Sequence, residues 1–134
     1  MKAVCLAFLL LNVSLSVHAV AQTKGSFNYL TASTDKFLGK KVTVFISNVT
    51  LPERNAGLGH NFKVYLVDTC GSDGNDFAYG LVKVSMEDAA GFVKRYSNKG
   101  GKFTARSAVG VFKERDFDDN YQVSVPYYLD MTKE

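Results

Sequence analysis

Beyond residue 21 this chain has a single histidine, His60, and a single cysteine, Cys70. A thiolate beside an imidazole is the simplest nucleophile–base pair a protein can assemble. These two flank a strand-like run at its opposite ends, about eight residues of extended chain or roughly 27 Å apart. That separation forbids a hydrogen-bonded dyad. The same scarcity excludes a zinc site of Cys and His, which takes about four ligands. The stretch Asp116-Phe117-Asp118-Asp119-Asn120 opens like a calcium loop, but neither the following glycine nor the distant glutamate is there. It reads as a solvated hairpin tip, and so does Asp73-Gly74-Asn75-Asp76. The chain shows no catalytic signature, no metal set and no cofactor motif, so a non-enzyme is expected.

Residues suited to binding are more plentiful. Strand residues alternate between two faces, which sorts three strand-like runs. Lys41, Thr43, Phe45 and Ser47 fall on one side of the first run, against Val42, Val44 and Ile46. In the second, Lys63 sets an outward row of Lys63, Tyr65 and Val67. In the third, Lys83 sets an outward row of Phe77, Tyr79, Leu81 and Lys83, leaving Ala78, Gly80, Val82 and Val84 inside. The expected outer face thus carries Phe45, Tyr65, Phe77 and Tyr79 among Lys41, Lys63 and Lys83. Aromatic rings interleaved with lysines can stack bases or sugars. Such rings can equally form cross-strand pairs, or lie under an N-terminal arm bearing Phe27, Tyr29 and Phe37. The partners this face fits are a glycan, a single-stranded nucleic acid, or an envelope or host protein.

The elements that must hold this face are legible in order. Lys40–Leu51 is rich in β-branched residues and alternates: a first strand. Pro52–Asn61 is a long loop with proline and two glycines. Phe62–Thr69 and Phe77–Val84 are the second and third strands, joined by a turn with two glycines. Ser85-Met86-Glu87-Asp88 has the hydroxyl and carboxylate of a capping box, so a helix is predicted from Ser85. Ala89, Phe92, Val93 and Tyr96 form its apolar stripe, and Gly100-Gly101 ends it. Lys102–Lys113 is a fourth strand and Glu114–Asn120 a charged loop. Tyr121–Met131 is a fifth strand, placed at an edge or bulged because Pro126 cannot donate to a ladder. The charged loop should form an acidic lip at the same end as Pro52–Asn61, favouring a neutral or mixed-charge partner over a long nucleic acid.

Ahead of these elements, Met1-Lys2, an apolar run Ala3–Val13 and the small-x-small triplet Ala19-Val20-Ala21 have the pattern of a secretory signal peptide. Residues 1–21 are expected to be removed, with 22–39 an arm containing one helical turn at Ser33–Leu38 and 40–134 the folded domain. A secreted or periplasmic location follows. The formal charge of +3 for the whole chain falls to about +2 with Lys2 gone, so net charge alone implies no polyanion partner. Cys70 is then an odd cysteine in an exported protein, either a free thiol or the link of a dimer. Asn48-Val49-Thr50 is a glycosylation sequon, but it sits inside a strand, where occupancy is disfavoured.

Strand–strand–strand–helix–strand–strand in about a hundred residues is the order of a five-stranded Greek-key barrel. The chain here resembles the OB-fold superfamily, in particular small single-barrel modules of the anticodon-binding type. The match is carried by Leu38-Gly39-Lys40-Lys41-Val42-Thr43-Val44, by Val64-Tyr65-Leu66-Val67-Asp68, by Gly110, and by Tyr128-Leu129. It covers roughly Leu38 to Met131. The resemblance implies a mainly β, OB-like barrel with one helix between its third and fourth strands, and a ligand on one sheet face. The spaced Arg, Asp and Glu set of the secreted nuclease branch is missing, so nuclease activity is not implied.

Overall fold

The β-branched run opening at Lys41 forms β1 (Lys41–Val49), followed by a two-residue strand, β2 (Arg54–Asn55). Then come β3 (Phe62–Cys70), β4 (Ala78–Ser85), β5 (Arg106–Glu114) and β6 (Tyr127–Asp130). The computed structural model describes residues 23–50, 54–55, 61–98, 100, 103–117 and 125–132. The expected leader, most of the Pro52–Asn61 loop with His60, and the stretch holding Asp118 and Asp119 lie outside the described residues. β1 pairs antiparallel with β5 and β3, β3 with β4, and β5 with β6, while β4 and β6 run parallel. The ring β1-β5-β6-β4-β3 thereby closes on itself. This is the expected OB-like barrel, with one helix, α3 (Ala89–Tyr96), between β4 and β5. β2 pairs with β3 at Val64 and Lys63; two residues are too few to show alternation, and the sequence reading had no such strand.

Two local expectations change. The helix starts at Ala89, because Ser85-Met86-Glu87-Asp88 closes a turn on itself. Ser85 Oγ donates to the Asp88 carboxylate at 2.9 Å, and the Asp88 N–H donates to the Ser85 carbonyl at 3.1 Å. The last strand starts at Tyr127, after Pro126. β6 lies between β4 and β5 in a closed ring, so it is not an edge strand. Shortening the strand keeps the proline nitrogen out of the ladder, and the Pro126 carbonyl accepts from the Arg115 N–H at 2.8 Å.

The barrel interior holds Val44 and Ile46 of β1 and Val82 and Val84 of β4, as alternation predicts, together with Ala108 and Phe112 of β5 and Leu129 of β6. β3 is reversed. Tyr65 and Val67 point into the core, 1% and 0% exposed, and Tyr65 stacks on Phe92 of α3 with centroids 5.2 Å apart. The other row, Val64 and Leu66, is also buried, in a second cluster with Leu81 and Tyr128 outside the barrel wall. A strand covered on both faces loses its polar–apolar alternation. Lys63 misled the assignment because it sits at the strand end, where a long stem can bury while the ammonium reaches water.

The arm belongs to the barrel. α2 (Thr34–Phe37) falls where one turn was expected, and Gly39 leaves it at φ +77°. A further helix, α1 (Phe27–Thr31), begins at Ser26, whose hydroxyl accepts from the Tyr29 N–H at 3.1 Å. Phe27 and Leu30 enter the core at the end opposite α3. The Phe27 N–H donates to Thr69 Oγ1 at 3.0 Å, and its ring meets Phe112 edge-on at 6.1 Å. Asp76, in the β3–β4 turn at φ +60°, fastens the start of the arm. Its carboxylate accepts from Ser26 Oγ, from Asn28 Nδ2 at 3.0 Å and from the Thr23 N–H at 3.3 Å. Partial burial pushes this carboxyl up, but the three donors outweigh it and hold it below the usual carboxylate range.

Cys70 ends β3 with no exposure. Burial, and then the nearby Asp73 carboxylate, push its thiol up. A disulfide-linked dimer would need that sulfur at the surface. Labelling of the native protein by a small disulfide reagent is expected to be about a hundredfold slower than labelling in denaturant. A full thiol equivalent released from the native protein within the mixing time would contradict this burial.

Candidate functional site

The seven residues expected on one face fall in separate places. Phe77, just ahead of β4, and Tyr79, on its outer wall, are 60% and 59% exposed. Lys83, on the same row, lies farther along, its ammonium 4.2 Å from the centre of the Phe62 ring. Tyr65 is in the core, and Lys63 shares its inward row. Lys41 and Phe45 line a groove of about 640 Å³ between the arm and β1, together with Lys24, Lys36, Lys40 and Tyr29. Phe45 is covered there by the arm: its N–H donates to the Gly25 carbonyl at 2.9 Å, and a Cβ added at Gly25 would lie 2.2 Å from its ring.

Phe77 and Tyr79 instead join residues from four other segments around a cleft of about 390 Å³. A break in register between Ile46 and Asn48 sets Asn48 opposite Asp68; bulges of this kind re-aim side chains. Ser47 turns inward and donates to the Asp68 carbonyl at 3.3 Å. Asn48 Oδ1 accepts from the Asn98 N–H at 2.9 Å, which ties the segment after α3 to the strand. Asp68 lies directly across from Tyr79 in the β3–β4 ladder. Phe103, 51% exposed, closes the far side and meets Phe77 edge-on at 5.7 Å. Asp68 is half-buried, and its carboxylate has no hydrogen bond or ion pair with a described residue. Three exposed rings thus surround one carboxylate and two amides.

Such a site can cover the apolar face of a flat or ring-shaped ligand while accepting hydrogen bonds from its hydroxyl or amino groups. Among the described residues, no three His, Cys, Asp or Glu side chains are grouped to hold a metal ion. Phe103 escaped the sequence reading because it was placed within a strand that starts only at Arg106. Asp68 was visible as the lone acid of an apolar strand, and Asn48 only as part of a sequon. With Asn48 in the ladder and its amide oxygen engaged, that sequon is built into the cleft wall.

The acidic lip changes character. Asp116 accepts from the Tyr128 hydroxyl at 3.1 Å, and Phe117 packs on Tyr128 and Phe62 at 4.8 and 6.0 Å between centroids. Burial and the Asp116 carboxylate together push the Tyr128 phenol well above its usual range. The described start of this loop is therefore a cover over the second cluster, and it meets the chain leaving the first loop at Phe62. That cover occupies the outer wall of β3, β4 and β6, leaving the Phe77–Tyr79 end of β4 open.

The fold and cleft define an OB-like barrel with an aromatic cleft on its outer wall. Comparison with protein-family models, curated proteins and solved structures gave no match. No helix among the described residues is long and apolar enough to cross a membrane.

Proposed function

We propose that this protein is an exported, non-catalytic binding module of the OB-fold superfamily that holds a glycan in the cleft of Phe77, Tyr79 and Phe103. The leader pattern of residues 1–21 supports export, and the closed strand order supports the superfamily. One observation carries the ligand class: three solvent-exposed rings converge beside the half-buried Asp68 carboxylate. Exposed rings grouped in this way signify a surface meant to be covered. A pyranose offers an apolar face to such rings and paired hydroxyls to a carboxylate and amides. A nucleic acid would stack as well, but its phosphates would meet the Asp68 charge. The arm groove is a poorer platform for stacking, because Gly25 already covers Phe45.

The test is a glycan microarray followed by titration calorimetry of the strongest binder. Tyr79→Ala combined with Phe103→Ala is expected to weaken binding on the order of a hundredfold while the barrel stays folded, since both rings are exposed. Tyr65→Ala would unfold the core instead and says nothing about the ligand. If the double variant binds as the wild type does, or single-stranded DNA binds more tightly than any glycan, the reading fails. Tight capture of an envelope protein by the same rings, with no glycan bound, would establish the protein-interaction alternative.

A further inference from the structure

Charge along this chain is segregated. Residues 89–113 contain six Lys and Arg and no Asp or Glu. Folding gathers part of that charge at one place. Lys94 and Arg95, in the last turn of α3, and Arg106, at the start of β5, line a pocket of about 610 Å³ with Tyr96, Ser97 and Thr104. All three cations are exposed, and none forms an ion pair with a described residue. Lys94 and Arg95 suit the negative end of the α3 dipole. Arg106 comes from another element, β5. Three like charges drawn together repel one another unless an anion sits among them.

The pocket adjoins the aromatic cleft. Ser97 and Thr104 line the pocket, while their chain neighbours Asn98 and Phe103 line the cleft. From this adjacency we infer that the pocket is an anion subsite of the cleft, so that the glycan is an acidic one. A carboxylate or sulfate on the sugar next to the stacked residue meets Lys94, Arg95 and Arg106, while Asp68 accepts from hydroxyls of the stacked sugar itself. This inference rests on the glycan reading of the cleft and adds the charge of its ligand. A chain with an anion on every unit fits less well, because one anion would fall beside Asp68.

The experiment uses matched probes: uronic oligosaccharides against their methyl esters, and sulfated oligosaccharides against their unsulfated parents. They are offered to the wild type, to Lys94→Gln/Arg106→Gln, and to Lys24→Gln/Lys41→Gln, which removes the same charge from the arm groove. The wild type is expected to bind the acidic member of a pair about tenfold more tightly. The Lys94/Arg106 variant should lose that preference and keep its affinity for the neutral member, whereas the Lys24/Lys41 variant keeps both. Salt should erase the preference by about 0.5 M, where screening is nearly complete within a few ångströms. Equal binding of both members by the wild type, or equal losses in the two charge variants, overturns the anion subsite and leaves the glycan reading standing. An array silent for every glycan overturns both.

Discussion

Phe27→Ala is expected to lower the unfolding free energy by about 3–5 kcal/mol, a large share of the roughly 5–15 kcal/mol that holds a domain of this size. The residue belongs to the arm, yet its ring is 2% exposed, packed edge-on to Phe112 and lying over Gly80. Removing it opens a cavity at the end of the barrel and frees α1 from β4. Urea unfolding gives the size of the loss, and limited proteolysis shows whether cleavage reaches beyond the arm. A variant with an unchanged midpoint and a newly cleavable arm would mean that the arm is a detachable cover. The partner position gives a check: a Cβ at Gly80 would lie 2.4 Å from the Phe27 ring. Gly80→Ala is therefore destabilising by itself and less so beside Phe27→Ala, a coupling that a double-mutant cycle measures.

Gly110→Ala is expected to cost about 1–3 kcal/mol, with larger side chains preventing barrel closure. Gly110 lies where β5 passes β6. A Cβ there would approach the Asp130 carbonyl oxygen to 2.6 Å and Leu129 Cγ to 2.9 Å. The first of these is backbone in a ladder, so it cannot move aside as a flexible side-chain tip would. The same strand pair carries the Lys113–Asp130 ion pair at 2.7 Å, so forcing the strands apart also strains the pairing of a buried carboxylate. Gly91→Ala is the contrasting change. Nothing lies within 4 Å of a Cβ at that exposed position of α3, and replacing a helical glycine there should stabilise by up to about 1 kcal/mol. Thermal midpoints should move in opposite directions. If Gly110→Ala matches the wild type, the close approach of β5 to β6 is wrong.

The sequence by itself determined the order of the five barrel strands and of α3, and with it the barrel. β-Branched alternation in β1, small inward residues in β4 and the apolar stripe of α3 are local patterns, each written in neighbouring residues. For the same reason it placed Phe77 and Tyr79 on the outer wall correctly: β4 has one buried face and one partly open face near its start, so its alternation survives. Tertiary structure decided the remainder. β3 is covered on both faces, by the core on one side and by Phe117, Val125 and Tyr128 on the other, so no periodicity could tell which way Tyr65 points. The arm enters the core through Phe27 and Leu30, a contact between segments some 40 to 50 residues apart that no local pattern records. The cleft is a meeting of Asn48, Asp68, Tyr79 and Phe103 from four segments, and only the β1 bulge and closure of the ring bring them together. Each of those residues is ordinary where it stands in the chain; their chemistry arises from distances that folding alone sets.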